Sequence, residues 1–199
     1  MKRVALFIIF LMFLFACIFK GEHMKIAMII APEGFRDEEF FVPYNHFLEK
    51  GYHVDVFSTK TGIAHGMLGG TFDVKHSVDE LDIHNYDALV FAGGTGTPIV
   101  RSNTRVLDVV KEAYNLHKVI GAICWSPTVL AKSGILEGKN VTVWFGNDPE
   151  YNMTTAEVLE KYGAHYVNEP VVVDGNIITA NGPKHAKEFA IAIDEVLNK

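Results

Sequence analysis

Stretches of continuous apolar character alternate along this chain with stretches whose apolar residues recur at helical spacing. Lys25 to Ala31 (KIAMIIA), Asp87 to Gly94 (DALVFAGG) and Lys118 to Ile123 (KVIGAI) are near-continuous apolar runs. Such runs mark strands covered on both faces. Phe35 to Lys50 instead carries Phe40, Phe41, Tyr44, Phe47 and Leu48 at helical intervals, with Gly51 to stop it. Helices are also predicted over Thr104 to Leu116, from Pro127 with the proline in the first turn, over Thr154 to Tyr162, and from Pro183 to Leu197. His53 to Ser58 (HVDVFS) and Val141 to Phe145 (VTVWF) read as further strands. Met67 to Val78, with its glycines and alternation, reads as a hairpin or short edge strands. In PVVVDGNIITA, Asp174-Gly175 between two β-rich runs marks a hairpin. Strands alternating with helices predict a doubly wound α/β sandwich, whose sites lie at the carboxyl ends of its strands.

Length and charge narrow the function classes. The 199 residues suit one domain of ordinary size. A formal net charge of -6 offers no basic footprint for nucleic acid. The two cysteines, Cys17 and Cys124, are too few for a disulfide framework. Residues 1–24 stand apart from the rest. MKR precedes sixteen apolar residues, Val4 to Phe19, as in a signal peptide or short anchor with membrane association. Leu14-Phe15-Ala16-Cys17 resembles a lipobox. The alternative is a misassigned start, with Met24 opening the domain. Export or anchoring follows from the first reading, and a cytoplasmic location from the second.

Three features fall at predicted strand ends. Cys124 closes KVIGAI just before a helix, with small residues two before and two after it, Ala122 and Ser126. A strand-to-helix elbow needs that packing, and the helix amino terminus would favour thiolate. The competing reading is a buried structural thiol. Ala92-Gly93-Gly94-Thr95-Gly96 is a turn whose Gly94 N–H, with that of Trp125, could form an oxyanion hole. It also reads as an ordinary glycine-rich turn, and its spacing is not a dinucleotide fingerprint. Arg36-Asp37-Glu38-Glu39 could bring a carboxylate to the thiol, or simply complement a helix dipole.

Together these features resemble the ThiJ/PfpI family, which includes the Parkinsonism-associated deglycase and the so-called intracellular peptidases. The resemblance rests on FRDEEFFVPYNHFLEKG, DALVFAGGTG, GAICWSPTVLAKSGIL, VVVDGNIITANGP and the EFAIAI closing helix, in order across residues 25–199. It implies a flavodoxin-like three-layer α/β/α sandwich of the glutamine-amidotransferase-like type, with a mostly parallel sheet and a nucleophile elbow, usually dimeric or larger. It also implies Cys124 as the reactive cysteine, Glu39 as its hydrogen-bonding partner, and Gly94 and Trp125 at the oxyanion hole. Gly93, Trp144, Pro183 and His185 are expected at the substrate pocket.

The chain departs from that pattern at two positions. Trp125 stands where the peptidase branch has histidine, and Trp144 aligns with the histidine of the deglycase branch. A Cys–His dyad is therefore not supported, and proteolysis loses its general base. The remaining histidines show no ligand-like spacing, so no metal is expected, and the implied chemistry needs no cofactor. The expected function is glyoxalase- or deglycase-like hydrolysis of small carbonyl compounds by Cys124 and Glu39. The alternative is a redox-responsive or chaperone-like protein in which Cys124 is oxidised.

Overall fold

In the computed structural model, residues 24–199 are described, and the signal, anchor or start-site reading of residues 1–24 falls outside them but for Met24. Strand β1 (Lys25–Ile29) shows how the layers arise. Ala27 and Ile29 enter one apolar cluster, while Ile26, Met28 and Ile30 enter another. Strand β7 (Ala88–Phe91) divides the same way, Leu89 and Phe91 against Ala88 and Val90. Period-two alternation thus sends side chains to two cores, which explains why both runs are apolar throughout.

The sheet has seven strands in the order β13-β14-β8-β7-β1-β3-β6. The remaining five are β3 (His53–Ser58), β6 (His76–Ser77), β8 (Val119–Ile123), β13 (Val171–Asp174) and β14 (Ile177–Ala180). All neighbours pair in parallel except the β13–β14 hairpin at one edge. Helices α1 (Asp37–Glu49) and α6 (Ala186–Leu197) cover one face, contributing Phe40, Phe47, Phe189 and Ile193 to its core. Helices α3 (Thr104–Asn115) and α4 (Pro127–Ser133) cover the other, through Val106, Val109, Val129 and Leu130. This is the expected flavodoxin-like three-layer sandwich.

Met67 to Val78 holds short edge strands: β6 at the edge of the main sheet, and β5 (Thr71–Val74), which pairs antiparallel with β4 (Gly62–Gly66) and with it joins β2 (Glu33–Phe35) in a separate small sheet. Other local expectations change. Only Asn140–Val141 of the predicted VTVWF region forms a strand, β9, and it pairs with β12 (His165–Tyr166) outside the main sheet. Beyond it the backbone finds other partners. Thr142 N donates to Thr179 Oγ1 at 2.9 Å and Trp144 N to the Cys124 carbonyl at 2.8 Å. A short helix, α2 (Thr97–Ser102), follows the glycine turn where none was expected. The last helix begins at Ala186, after a 3₁₀ turn over Pro183–His185. Helix α5 (Thr155–Lys161) starts from Thr154, whose hydroxyl forms a capping box with Glu157.

Candidate functional site

Adjacent parallel strands β7 and β8 deliver their carboxyl ends side by side, with Phe91 opposite Ala122. One leads into Gly93-Gly94 and the other into Cys124. Cys124 has φ of 64°, the left-handed conformation that a strand-to-helix elbow imposes on a residue with a Cβ. The elbow is pinned on each side. Cys124 N donates to Ala180 O at 2.8 Å, and Ser126 Oγ donates to Ala92 O at 2.6 Å. Ala122 and Ser126 are both buried, leaving no space for larger side chains.

The three carboxylates that open α1 have three different surroundings. Asp37 accepts the N–H groups of Leu68 and Gly70, at 2.8 and 2.7 Å, and so fixes the β4–β5 turn. Glu38 pairs with Arg36. Glu39 is fully buried and points back toward the sheet, where its Oε2 accepts the Gly93 N–H at 3.1 Å. Its other oxygen, Oε1, has no hydrogen bond of ordinary geometry, and the Cys124 thiol is the interacting neighbour of the carboxyl.

Burial pushes the Glu39 carboxyl up to about 7, against the smaller opposing effects of Cys124, Gly93 N–H and Arg36. Burial also pushes the Cys124 thiol up, and the charge and hydrogen bonding of Glu39 add to it. The backbone N–H groups of Gly94 and Trp125 donate toward the sulfur and pull the other way. The pair therefore resists carrying two negative charges and titrates as a unit. Thiolate is favoured here by two aimed N–H groups and opposed by burial, a balance that helix polarity alone did not anticipate.

Gly93 allows this closeness. A Cβ at that position would lie 2.6 Å from Glu39 Oε2, 2.6 Å from Ile123 O and 2.7 Å from Cys124 Cβ. Gly94 has φ of 112°, and a Cβ there would meet Gly34 O at 2.3 Å.

Cys124 opens into a cavity of about 250 Å³. Trp125, Trp144 and Pro183 form its apolar wall, while Arg36, Met67 and Thr95 line the other side. The two indole rings lie 5.8 Å apart, tilted at 45°. Trp125 Nε1 donates to Asp148 Oδ2 at 2.9 Å. Asp148 in turn pairs with Arg101, and both side chains are fully buried. His185 lies elsewhere, in a neighbouring cavity of about 370 Å³ with Lys184, Asn168 and Tyr166. Trp144 and Pro183 line both cavities and stand between them. Among the described residues, no histidine lines the cavity of Cys124.

Sequence reasoning did not single out Arg36, Met67 and Thr95 as cavity residues, nor Arg101 and Asp148 behind Trp125. Arg36 carried a signal, a lone cation beside three carboxylates. Met67 reaches the site through contacts with a distant element: its N–H donates to Phe35 O at 2.9 Å, and Asp37 holds the turn that follows.

Fold and site together define a three-layer α/β/α protein with an elbow cysteine beside a buried glutamate. The chain belongs to the DJ-1/PfpI family, which it matches over residues 24–195. An uncharacterized protein of Methanocaldococcus jannaschii is 42% identical to it, covering 100% of this chain and 98% of that one. A deglycase of Thermococcus kodakarensis is 32% identical, covering 80% and 91%. The crystal structure of a ThiJ/PfpI domain protein from Brachyspira murdochii superposes with a TM-score of 0.80 at 34% identity, covering 89% of this chain and 98% of that one.

Proposed function

We propose that this protein is a cysteine-dependent enzyme acting on small carbonyl compounds, in the manner of a glyoxalase or deglycase. Cys124 is the nucleophile, Glu39 the proton carrier, and the N–H groups of Gly94 and Trp125 the oxyanion hole. One observation carries the reading: Cys124, at φ of 64° on the elbow, lines one cavity with Gly94, Trp125 and the buried Glu39, whose carboxyl is pushed up to about 7. A group titrating near the working pH both gives and takes protons efficiently. The cavity of about 250 Å³ suits a small substrate, and a deglycase stands among the relatives.

With a 2-oxoaldehyde, the Cys124 thiolate adds to the aldehyde carbon. The C–S bond forms, the carbonyl π pair moves to oxygen, and that oxygen takes the Glu39 proton. The Glu39 carboxylate then removes the C–H proton of the hemithioacetal, whose electron pair passes to the neighbouring carbonyl. Glu39 gives that proton to the neighbouring carbon, the former carbonyl carbon, and the hydroxyl proton passes between the two oxygens, leaving a 2-hydroxy thioester. Water adds, the thiolate leaves, and a 2-hydroxy acid is released. Incubating the full chain with methylglyoxal and quantifying lactate tests the scheme. Saturable turnover abolished in Cys124→Ser supports it, and no turnover by the unmodified protein overturns it.

A redox-responsive role is the second reading. The same N–H groups, with a protonated Glu39, would also hold the oxygen atoms of an oxidised Cys124. Stoichiometric oxidation of Cys124 by peroxide, without carbonyl turnover, would favour it.

A further inference from the structure

Among the described residues, Arg36 is the only cationic side chain lining the cavity that holds Cys124. Its guanidinium is half-buried, and it is held rather than free. Nε and Nη2 donate to Glu38 Oε2 and Oε1, at 2.8 and 3.2 Å. Those two nitrogens form one edge of the planar fork, so Glu38 occupies that edge alone. The other edge, Nη1 with the second N–H of Nη2, has no partner among the described residues. A free bidentate edge is the geometry that matches a carboxylate. The backbone fixes the residue's position as well: Arg36 N donates to Gly93 O at 2.9 Å, in the turn that carries Glu39's partner N–H. The cavity thus has a thiol with two aimed N–H groups at one end and an orientated, half-satisfied guanidinium on its wall. Trp125, Trp144 and Pro183 close the remaining side with apolar surface.

We infer that Arg36 is an anion-recognition residue, and that the site selects small carbonyl compounds bearing a carboxylate, the aldehyde placed at Cys124 and the carboxylate on Nη1 and Nη2 of Arg36. This rests on Cys124 being the reactive centre. An anionic substrate would otherwise be repelled by the charge shared between Cys124 and Glu39. Arg36 offsets that repulsion, in part screened by solvent because the side chain is partly exposed.

Two alkylating reagents of nearly equal size, anionic iodoacetate and neutral iodoacetamide, isolate the charge. The full chain is treated with each, and modification of the peptide containing Cys124 is followed by mass spectrometry. Arg36→Gln is expected to lower the iodoacetate-to-iodoacetamide rate ratio roughly tenfold, the effect of one charge interaction of ordinary size. Arg36→Lys retains most of the ratio, and Glu38→Gln, which releases the guanidinium, raises it. A ratio unchanged in Arg36→Gln, with iodoacetamide still reacting at Cys124, overturns the inference and leaves the proposed enzyme standing. Failure of iodoacetamide to modify Cys124 in the unmodified protein overturns both.

Discussion

Gly93 donates its backbone N–H to Glu39 Oε2 at 3.1 Å, tying the first helix to a strand end 54 positions away. The bond orientates the carboxyl and leaves Oε1 without a hydrogen bond among the described residues. A methyl group at Gly93 would collide with Glu39, Ile123 and Cys124 together, two of those contacts being with backbone or Cβ atoms that cannot swing aside. Gly93→Ala is expected to destabilise the protein by about 1–3 kcal/mol, the usual cost of overpacking. It should also slow Cys124 alkylation at least about tenfold. Urea denaturation and iodoacetamide kinetics measure the two effects separately.

Glu39 makes stability depend on pH. Its carboxyl moves from an ordinary 4.5 to about 7 on folding. Between those values the folded state keeps a proton that the unfolded state has lost. Stability from this group is therefore complete below about 4.5 and is lost as pH rises through about 7, by roughly 3 kcal/mol in all. Urea midpoints of the unmodified protein should fall over that window. Those of Glu39→Gln should stay nearly flat and exceed the unmodified protein's at about pH 8.

The same substitution should alter the thiol. With the Glu39 charge removed, one of the influences that raise Cys124 disappears, while burial remains. The pH profile of alkylation is then expected to collapse from the behaviour of a coupled pair to one titration, with its midpoint below that of the second step in the unmodified protein. A profile identical in both proteins would show that the carboxyl and thiol do not interact.

Asp148 joins a buried cation to the wall of the site. It takes the Trp125 Nε1–H at 2.9 Å and an Nη2–H of Arg101 at 3.0 Å. Asp148→Ala would leave Arg101, fully buried, with Glu150 as its remaining carboxylate. The expected loss is about 3 kcal/mol, toward the low end for breaking a buried pair because Glu150 persists. Tryptophan emission should change at the same time, since the Trp125 indole loses its acceptor.

Trp144 separates the two cavities and is 40% exposed. Trp144→Ala should merge them. Alkylation of Cys124 by a bulky maleimide is expected to quicken several-fold more than alkylation by iodoacetamide, a comparison that reads access rather than intrinsic reactivity.

The sequence announced most of this architecture because its main strands are buried on both faces, so β1, β7 and β8 needed no tertiary information to be seen. Asp174-Gly175 did the same for the β13–β14 hairpin. VTVWF misled because β-branched and aromatic residues describe a half-buried surface rather than a ladder. There, Thr179 and the Cys124 carbonyl take the N–H groups that a neighbouring strand would have taken. Helix α2 was hidden by the glycines before it. Arg101 was invisible for a different reason. A cation just ahead of a predicted helix reads as surface, and only the carboxylates brought from Asp148 and Glu150 allow its burial. At the site itself, Cys124 and its small neighbours were legible, because an elbow is a local constraint. Arg36 and Met67 were not, because which residues face a cavity is decided by elements far apart in the chain.

The Cys124 N–H is held by the carbonyl of Ala180, 56 positions later in the chain (180 − 124). A ribosome making this protein therefore releases Cys124 well before it releases the strand that completes the elbow. Through that interval the residue is an ordinary cysteine on an unfinished chain, with no partner strand to hold its left-handed backbone. The elbow belongs to the folded molecule and is completed only once the strand carrying Ala180 has been made.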